Sequence, residues 1–345
     1  MPEGHSVHRI ARQFAHNFVG HPVAASSPQG RFAEGASMID GLTMTAARAV
    51  GKQMFLEFDG VLWLRVHLGI YGAWDFAGDI TTDDTIRSAA GRMGQTNMRG
   101  TVVAADALGE QAEGTLDEIA LDSLDDADGE DSVRSIGAPR RSRLRMAEQE
   151  KASELETFPP EPVGAVRVRL LTETAVADLR GPTACEVLDA EQVAAVIARL
   201  GPDPLLDGST EAEERFVAAV TKKRTPIGLL LMDQSVVSGI GNVYRAEMLF
   251  RARIDPHRPG TAVTTDEARA LWRDWAYLLD LGVRTGQMLT MDGLSDEEQA
   301  KAMASRADRH WVYKREGLPC RVCGTNIVLE EMGSRKLYWC PEDQV

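Results

Sequence analysis

The chain has 345 residues, 43% of them hydrophobic, and a formal charge of −14 at pH 7. That length exceeds the usual size of one domain, and the apolar content is enough for real cores, so two or three folded units are expected. No apolar run approaches a membrane span and the start lacks a signal-peptide pattern, so the expectation is a soluble cytoplasmic protein with no membrane role; the excess of acids argues against nucleic-acid binding until it is located.

The chain opens Met1-Pro2-Glu3-Gly4. With the initiator methionine removed, Pro2 presents a secondary amine beside a carboxylate. Such an amine attacks an aldehyde-level carbon to give an iminium cation, an electron sink for breaking neighbouring bonds, and the acid moves the protons. Taken alone, the same residues also suit a protein that merely loses its methionine before a small residue. Val7, Ile10, Ala11, Phe14 and Phe18 then recur at helical spacing before Gly20, which predicts an amphipathic helix entering a core. Alternating or apolar runs predict strands at 44–50, 54–58, 62–66 and 166–171.

Residues 105–133 hold eleven acids and no Lys or Arg, and 79–165 carry nineteen acids against nine bases, a net of −10 within the chain's −14. The acidity therefore belongs mostly to one segment, and the objection to a nucleic-acid partner weakens. A stretch so charged and so poor in apolar residues does not offset the entropy of ordering it, so 79–162 is predicted to be a largely disordered insertion in a surface loop.

From Asp189 the pattern is helical, with predicted helices at 193–200, 210–221, 227–232, 243–250 and 265–281 separated by Pro202, Pro204, Pro226, Pro256 and Pro259. The segment 225–245 is the most specific internal feature. Thr225 is the expected cap of a short helix with Pro226 at its first position, and a second helix is expected from Asn242 or Val243. Gly239 and Gly241 let backbone amides approach a ligand, and the helix start behind them favours an anion such as a phosphate. Read alone, the segment also fits a plain helix–helix turn.

The tail carries Cys320 and Cys323, then Cys340 and Asp343, where two CxxC knuckles would make a zinc ribbon. The second knuckle has Asp343 in place of its last cysteine. Zinc held by Cys320, Cys323, Cys340 and Asp343 and a metal-free hairpin packed through Tyr338 and Trp339 are both open. Cys185, remote from the others, reads as a buried structural thiol.

Start, middle and tail together resemble the formamidopyrimidine-DNA glycosylase and endonuclease VIII family, whose members begin Pro-Glu, contain a helix-two-turn-helix ending in Gly-x-Gly-Asn, and finish with a zinc ribbon. The resemblance covers nearly all of the chain outside 79–162. The Pro2-Glu3-Gly4 opening and Leu68-Gly69-Ile70-Tyr71-Gly72 look closer to the actinobacterial endonuclease VIII branch. It implies a multidomain α+β fold: an N-terminal helix plus β-sandwich over 1–185, a helix-two-turn-helix domain over 186–315, and a zinc-ribbon-like β-hairpin over 316–345. By the same resemblance Pro2 is the amine nucleophile, Glu3 its proton-transfer partner, and Lys52 a β-hairpin lysine that contacts phosphate and aids catalysis. Asn242, helped by amides of its turn, and Arg335 bind phosphates, while Gly69, Ile70 and Tyr71 fill the gap left by an extruded base. Ile70 also reads as a core residue. A second acid that many relatives carry after the nucleophile is absent, with His5 and Ser6 in its place.

The implied function is a bifunctional DNA glycosylase and AP lyase of base excision repair, acting on oxidised bases, pyrimidines before 8-oxoguanine. Its expected partner is damaged double-stranded DNA, its state a monomer associated with the nucleoid, and its only cofactor a structural Zn2+, with no organic cofactor. A purine-preferring glycosylase and a noncatalytic binder of damaged DNA are the alternatives.

Overall fold

The structure, a computed structural model, describes residues 2–81, 135–137, 158–305 and 308–345. Most of the expected insertion at 79–162 lies outside the described residues.

Helix α1 (Gly4–Asn17) forms where the apolar spacing placed it, burying Val7, Ile10, Ala11 and Phe14, with Phe18 just beyond its end. Its polar face is buried too, through His5, Ser6, His8 and Arg9. The reason is position: α1 lies between the sheets and the helical half of the molecule, and Arg9 Nη1 donates to the Val283 carbonyl of that half at 3.0 Å. The sheets follow as β1 (Ala24–Ser26), helix α2 (Ala33–Ile39), β2 (Met44–Val50), β3 (Gln53–Phe58), β4 (Leu62–His67), β5 (Ala73–Gly78), β6 (Ser135–Ile136), β7 (Val166–Leu171), β8 (Ala175–Arg180) and β9 (Ala184–Leu188). One antiparallel sheet runs β1-β7-β8-β5-β6 and the other β2-β3-β4-β9. Trp74, Phe76, Leu170 and Leu179 of the first meet Met54, Leu56, Leu64 and Val66 of the second around Phe14, which makes a sandwich. The expected domain boundary after residue 185 falls inside β9, which stays paired with β4 as far as Leu188.

Asp189 then caps α3 (Ala190–Ile197) in a reciprocal capping box with Gln192. Val193 of α3 covers Phe55 and Trp63 on the outer face of the second sheet. The helical half continues with α4 (Thr210–Thr221), α5 (Ile227–Leu230), α6 (Asn242–Arg251), α7 (Thr265–Thr285) and α8 (Asp296–Ala304). Pro226, not Thr225, is the residue that caps α5, and the helix stops at Leu230 rather than 232. Phe216, Leu230, Ile240, Leu249, Leu271 and Trp275 share one core. No helix among the described residues is long and apolar enough to cross a membrane.

The tail folds as β10 (Val328–Glu331) and β11 (Lys336–Trp339). Met332 and Arg335 exchange backbone hydrogen bonds of 2.9 and 3.3 Å around Gly333 and Ser334, both at positive φ, the geometry of a tight hairpin turn. Tyr338, Cys320 and Cys340 pack on Ala246 and Phe250 of α6. The buried Glu247 of the same helix accepts the amide hydrogens of Trp311, Val312 and Tyr313 at 2.8, 2.9 and 2.8 Å, which fixes the entry to the tail.

Candidate active site and nucleic-acid interface

Glu3 precedes α1, but its side chain serves another helix. Glu3 is 1% exposed, and its carboxylate accepts the amides of Gly241 at 2.8 Å, Val243 at 2.9 Å and Tyr244 at 3.4 Å, at the start of α6. Those donors have no partner inside the helix and sit at its positive end, so a buried carboxylate is well placed there. This corrects the sequence expectation in one respect. The anion on these amides is an internal acid, and they do not stand free to help Asn242 hold a phosphate. Pro2, one residue earlier, is buried beside this contact.

The β2–β3 turn reaches the same place. Gly51 and Gly239 both hold positive φ (56° and 95°), and a Cβ on Gly51 would lie 2.6 Å from Ser238 Cβ. A Cβ on Gly4 would stand 2.9 Å from Gly239 Cα. Backbone thus packs on backbone where chain start, hairpin and helical domain converge. Asp203 braces the junction, its Oδ2 accepting from the Gly51 amide at 2.7 Å and pairing with His8 Nε2 at 2.8 Å. The next residue, Lys52, donates Nζ to the Ile240 carbonyl at 2.6 Å. Burial pulls its ammonium down to about 8, Arg335 adding to the effect and the Glu3 charge opposing it. His67, cross-strand from Gln53, belongs to this basic cluster and was missed by sequence reasoning. Burial, then the Lys52 and Arg65 charges, lower its pKa. A single histidine at a strand end carries no sequence signal that would place it beside Lys52.

Asn242 is tied to the tail: its Nδ2 donates to the Lys336 carbonyl at 2.7 Å. Arg245, fully buried, donates to Asn242 Oδ1 at 2.6 Å, to Lys336 O at 3.0 Å and to Met332 O at 3.3 Å. These two carbonyls flank the turn that carries Arg335, so α6 sets the hairpin tip. Sequence reasoning passed over Arg245.

Gly69, Ile70 and Tyr71 form a turn between β4 and β5, with Ile70 40% and Tyr71 71% exposed while neighbouring Leu68 is buried. Ile70 is therefore not a core residue. His5 packs edge-on against Tyr244 and lies 3.2 Å from the Ser6 hydroxyl, so this pair sits in the seam and supplies no acid. Cys185 is half-buried in β9, and burial pushes its thiol up to about 12, which suits an inert role.

The donor atoms of Cys320, Cys323, Cys340 and Asp343 all lie within 4.8 Å of one another. Three sulfurs and a carboxylate oxygen at that spacing fit a tetrahedral zinc ion. Tyr338 also packs beside the Tyr313 ring at 5.0 Å and Trp339 beside His257 at 5.1 Å, so the hairpin has apolar support as well.

A sandwich, a helix-two-turn-helix and a cysteine-bearing hairpin meet near buried Glu3, Lys52 and Pro2, the second residue of the chain, and the similarities that follow make the chain a DNA glycosylase that also cleaves abasic sites. Family models match in the same order: the formamidopyrimidine-DNA glycosylase N-terminal domain over 1–103, the formamidopyrimidine-DNA glycosylase H2TH domain over 200–292, and the zinc finger found in FPG and IleRS over 317–345. Endonuclease 8 1 of Mycobacterium tuberculosis strain H37Rv is 35% identical over 341 residues, 99% of this chain and 98% of that one. The chain belongs to the formamidopyrimidine-DNA glycosylase and endonuclease VIII family, on its actinobacterial endonuclease VIII-like side. A formamidopyrimidine-DNA glycosylase of Thermus thermophilus is 36% identical over 149 residues, 43% of this chain and 55% of that one. Among solved structures, wild-type Lactococcus lactis Fpg with an N7-benzyl-Fapy-dG DNA superposes with a TM-score of 0.65 at 16% identity, covering 99% of each chain. MutM from Thermus thermophilus gives 0.61 at 21% identity, over 99% of this chain and 98% of that one. At these identities the two structures speak for the fold alone.

Proposed function

We propose that this glycosylase removes oxidised pyrimidines from duplex DNA through an iminium formed by Pro2, once Met1 is removed. The Pro2 nitrogen lone pair attacks C1′ of the damaged nucleotide, and the bond to the base breaks with its electron pair leaving on the base, which takes up the proton shed by the Pro2 nitrogen. The nitrogen then donates its lone pair to C1′ as the C1′–O4′ bond breaks and O4′ takes a proton, which opens the sugar and leaves the iminium. The iminium then acidifies the C2′ hydrogen. Loss of that proton expels the 3′ phosphate, and a second elimination expels the 5′ phosphate. Glu3 handles the protons; Lys52, His67, Asn242 and Arg335 hold the phosphates, Asn242 with an amide group that has two hydrogens to give. Ile70 and Tyr71 enter the stack, replacing part of what unstacking the lesion costs, about a few kcal/mol.

The observation that carries this reading is the buried Glu3 carboxylate on the first amides of α6, because it fixes the chain start at the junction where Lys52 also ends. All these groups come from one chain, so the reading needs no second copy. A bound zinc ion would staple the hairpin through Cys320, Cys323, Cys340 and Asp343, and with it the place of Arg335. The preference for pyrimidines rests on full-length similarity to Endonuclease 8 1 against roughly half-length similarity to formamidopyrimidine-DNA glycosylases. Single-turnover cleavage of duplexes carrying thymine glycol or 8-oxoguanine tests it. Faster cleavage of thymine glycol is expected; faster cleavage of 8-oxoguanine reverses the preference, and binding without cleavage of either makes the protein a damage binder.

A further inference from the structure

Where an all-thiol zinc knuckle would have its last cysteine, this chain has Asp343, and the two oxygens of that carboxylate face different ways. Oδ2 lies 2.9 Å from Cys320 Sγ and 3.5 Å from Cys340 Sγ, while Oδ1 lies 2.7 Å from Arg253 Nη1. Arg253 is itself held on several sides. It sits just past α6 at φ 58°, a conformation uncommon for a residue with a side chain. Its amide donates to Phe250 O at 3.0 Å, and its carbonyl accepts from Val345 N at 3.3 Å. The guanidinium carbon stands 4.9 Å from the centre of the Phe250 ring, and that ring packs in one cluster with Cys320 and Cys340.

We propose that Arg253 is the positioning residue that makes Asp343 a one-oxygen zinc ligand, so that an arginine–aspartate pair does the work of the missing thiolate. A carboxylate left alone can turn both oxygens to the metal or swing into water. Arg253 engages Oδ1 and leaves Oδ2 aimed at the sulfurs. It also offsets charge, because three thiolates and a carboxylate overcompensate a dication. The arginine combines stacking on Phe250 with a directed N–H to the carboxylate. The pair also joins the metal site to the C-terminal end of the helix whose first amides hold Glu3.

This inference rests on the reading of the tail as a zinc site, and a double-mutant cycle separates the two. Zinc content of the full chain is read by native mass spectrometry and zinc release by a colorimetric chelator, for the parent, Arg253→Ala, Asp343→Cys and the double variant. The parent should carry zinc, and Arg253→Ala should speed its release by about tenfold or more. With cysteine at 343 the same change should matter less than about twofold, since the carboxylate that Arg253 orients is gone and only its weaker charge effect is left. Cobalt-loaded parent should show the spectrum of three thiolates and Asp343→Cys that of four. Equal acceleration in both backgrounds, or none in either, overturns the role of Arg253 while leaving the zinc reading intact. A parent that takes up no zinc overturns the zinc reading and the inference with it.

Discussion

Glu3 and Gly241 touch across 238 positions of chain: the carboxylate accepts the Gly241 amide at 2.8 Å, and a Cβ on Gly241 would stand 2.4 Å from the Glu3 carboxyl carbon. The acid keeps its place because residue 241 has no side chain. Gly241→Ala should therefore cost about 1–3 kcal/mol of stability by overpacking and displace the acid from the α6 amides. Thermal melting together with single-turnover cleavage checks this; a variant with parental melting and parental rate would separate Glu3 from the reaction.

Arg335 should act as a phosphate grip. Arg335→Ala is expected to weaken binding similarly across DNA sequences and to reduce the salt dependence of binding by about one charge. Arg245→Ala, which strips a buried donor from the Met332 and Lys336 carbonyls, should weaken binding in the parent and add little once Arg335 is alanine. Fluorescence anisotropy titrations at several salt concentrations measure both. Additive losses would mean that Arg245 does not work through the hairpin tip.

Lys52 should set an alkaline limit on activity. Its ammonium is held near 8, chiefly by burial, so kcat/KM on abasic DNA should fall as pH rises through about 8. Lys52→Arg stays cationic and should flatten that limb. The sign for stability is opposite. Between about 8 and the usual lysine value the unfolded chain binds a proton that the folded one does not, so this group makes stability rise with pH across that window.

His5 should contribute to acid unfolding. Burial first, then the Arg9 charge, drives its imidazole down to about 3. Below the ordinary histidine value of 6.5 the unfolded chain gains a proton that the folded chain refuses, so stability falls as pH drops from there toward 3. The slope from this one group is at most about 1.4 kcal/mol per pH unit. Urea melts of the parent and His5→Gln at about pH 7 and about pH 4.5 should show a smaller acid loss in the variant.

Much of the scaffold is legible because its signals are local. The alternation over Met44–Val50 and Val166–Leu171 and the run of Thr210–Thr221 behind Ser209 are found at their expected bounds. Helix α8 was missed although Ser295 and Glu298 form a capping box, a signal present in the sequence. Helix α2 buries only Ala36 and Ile39 and contains Gly35, so it offers almost no periodicity to read. The long-range part was not legible. Which anion sits on the α6 amides depends on a residue 238 positions away, and the Asp203 brace joins His8 and Gly51 from a third segment. The paired roles of Arg245 and Arg253 have the same origin, since each acts on backbone or carboxylate oxygens that are neighbours only in the folded chain.

In the proposed reaction the amine of Pro2 does the chemistry. The most direct measurement is borohydride reduction of the full chain mixed with abasic duplex DNA, followed by proteolysis and mass spectrometry of the cross-linked peptide. The expected result is a reduced sugar adduct on the nitrogen of Pro2 in a chain that has lost Met1. An adduct on a lysine such as Lys52, or no adduct in a protein that binds the DNA, would contradict it.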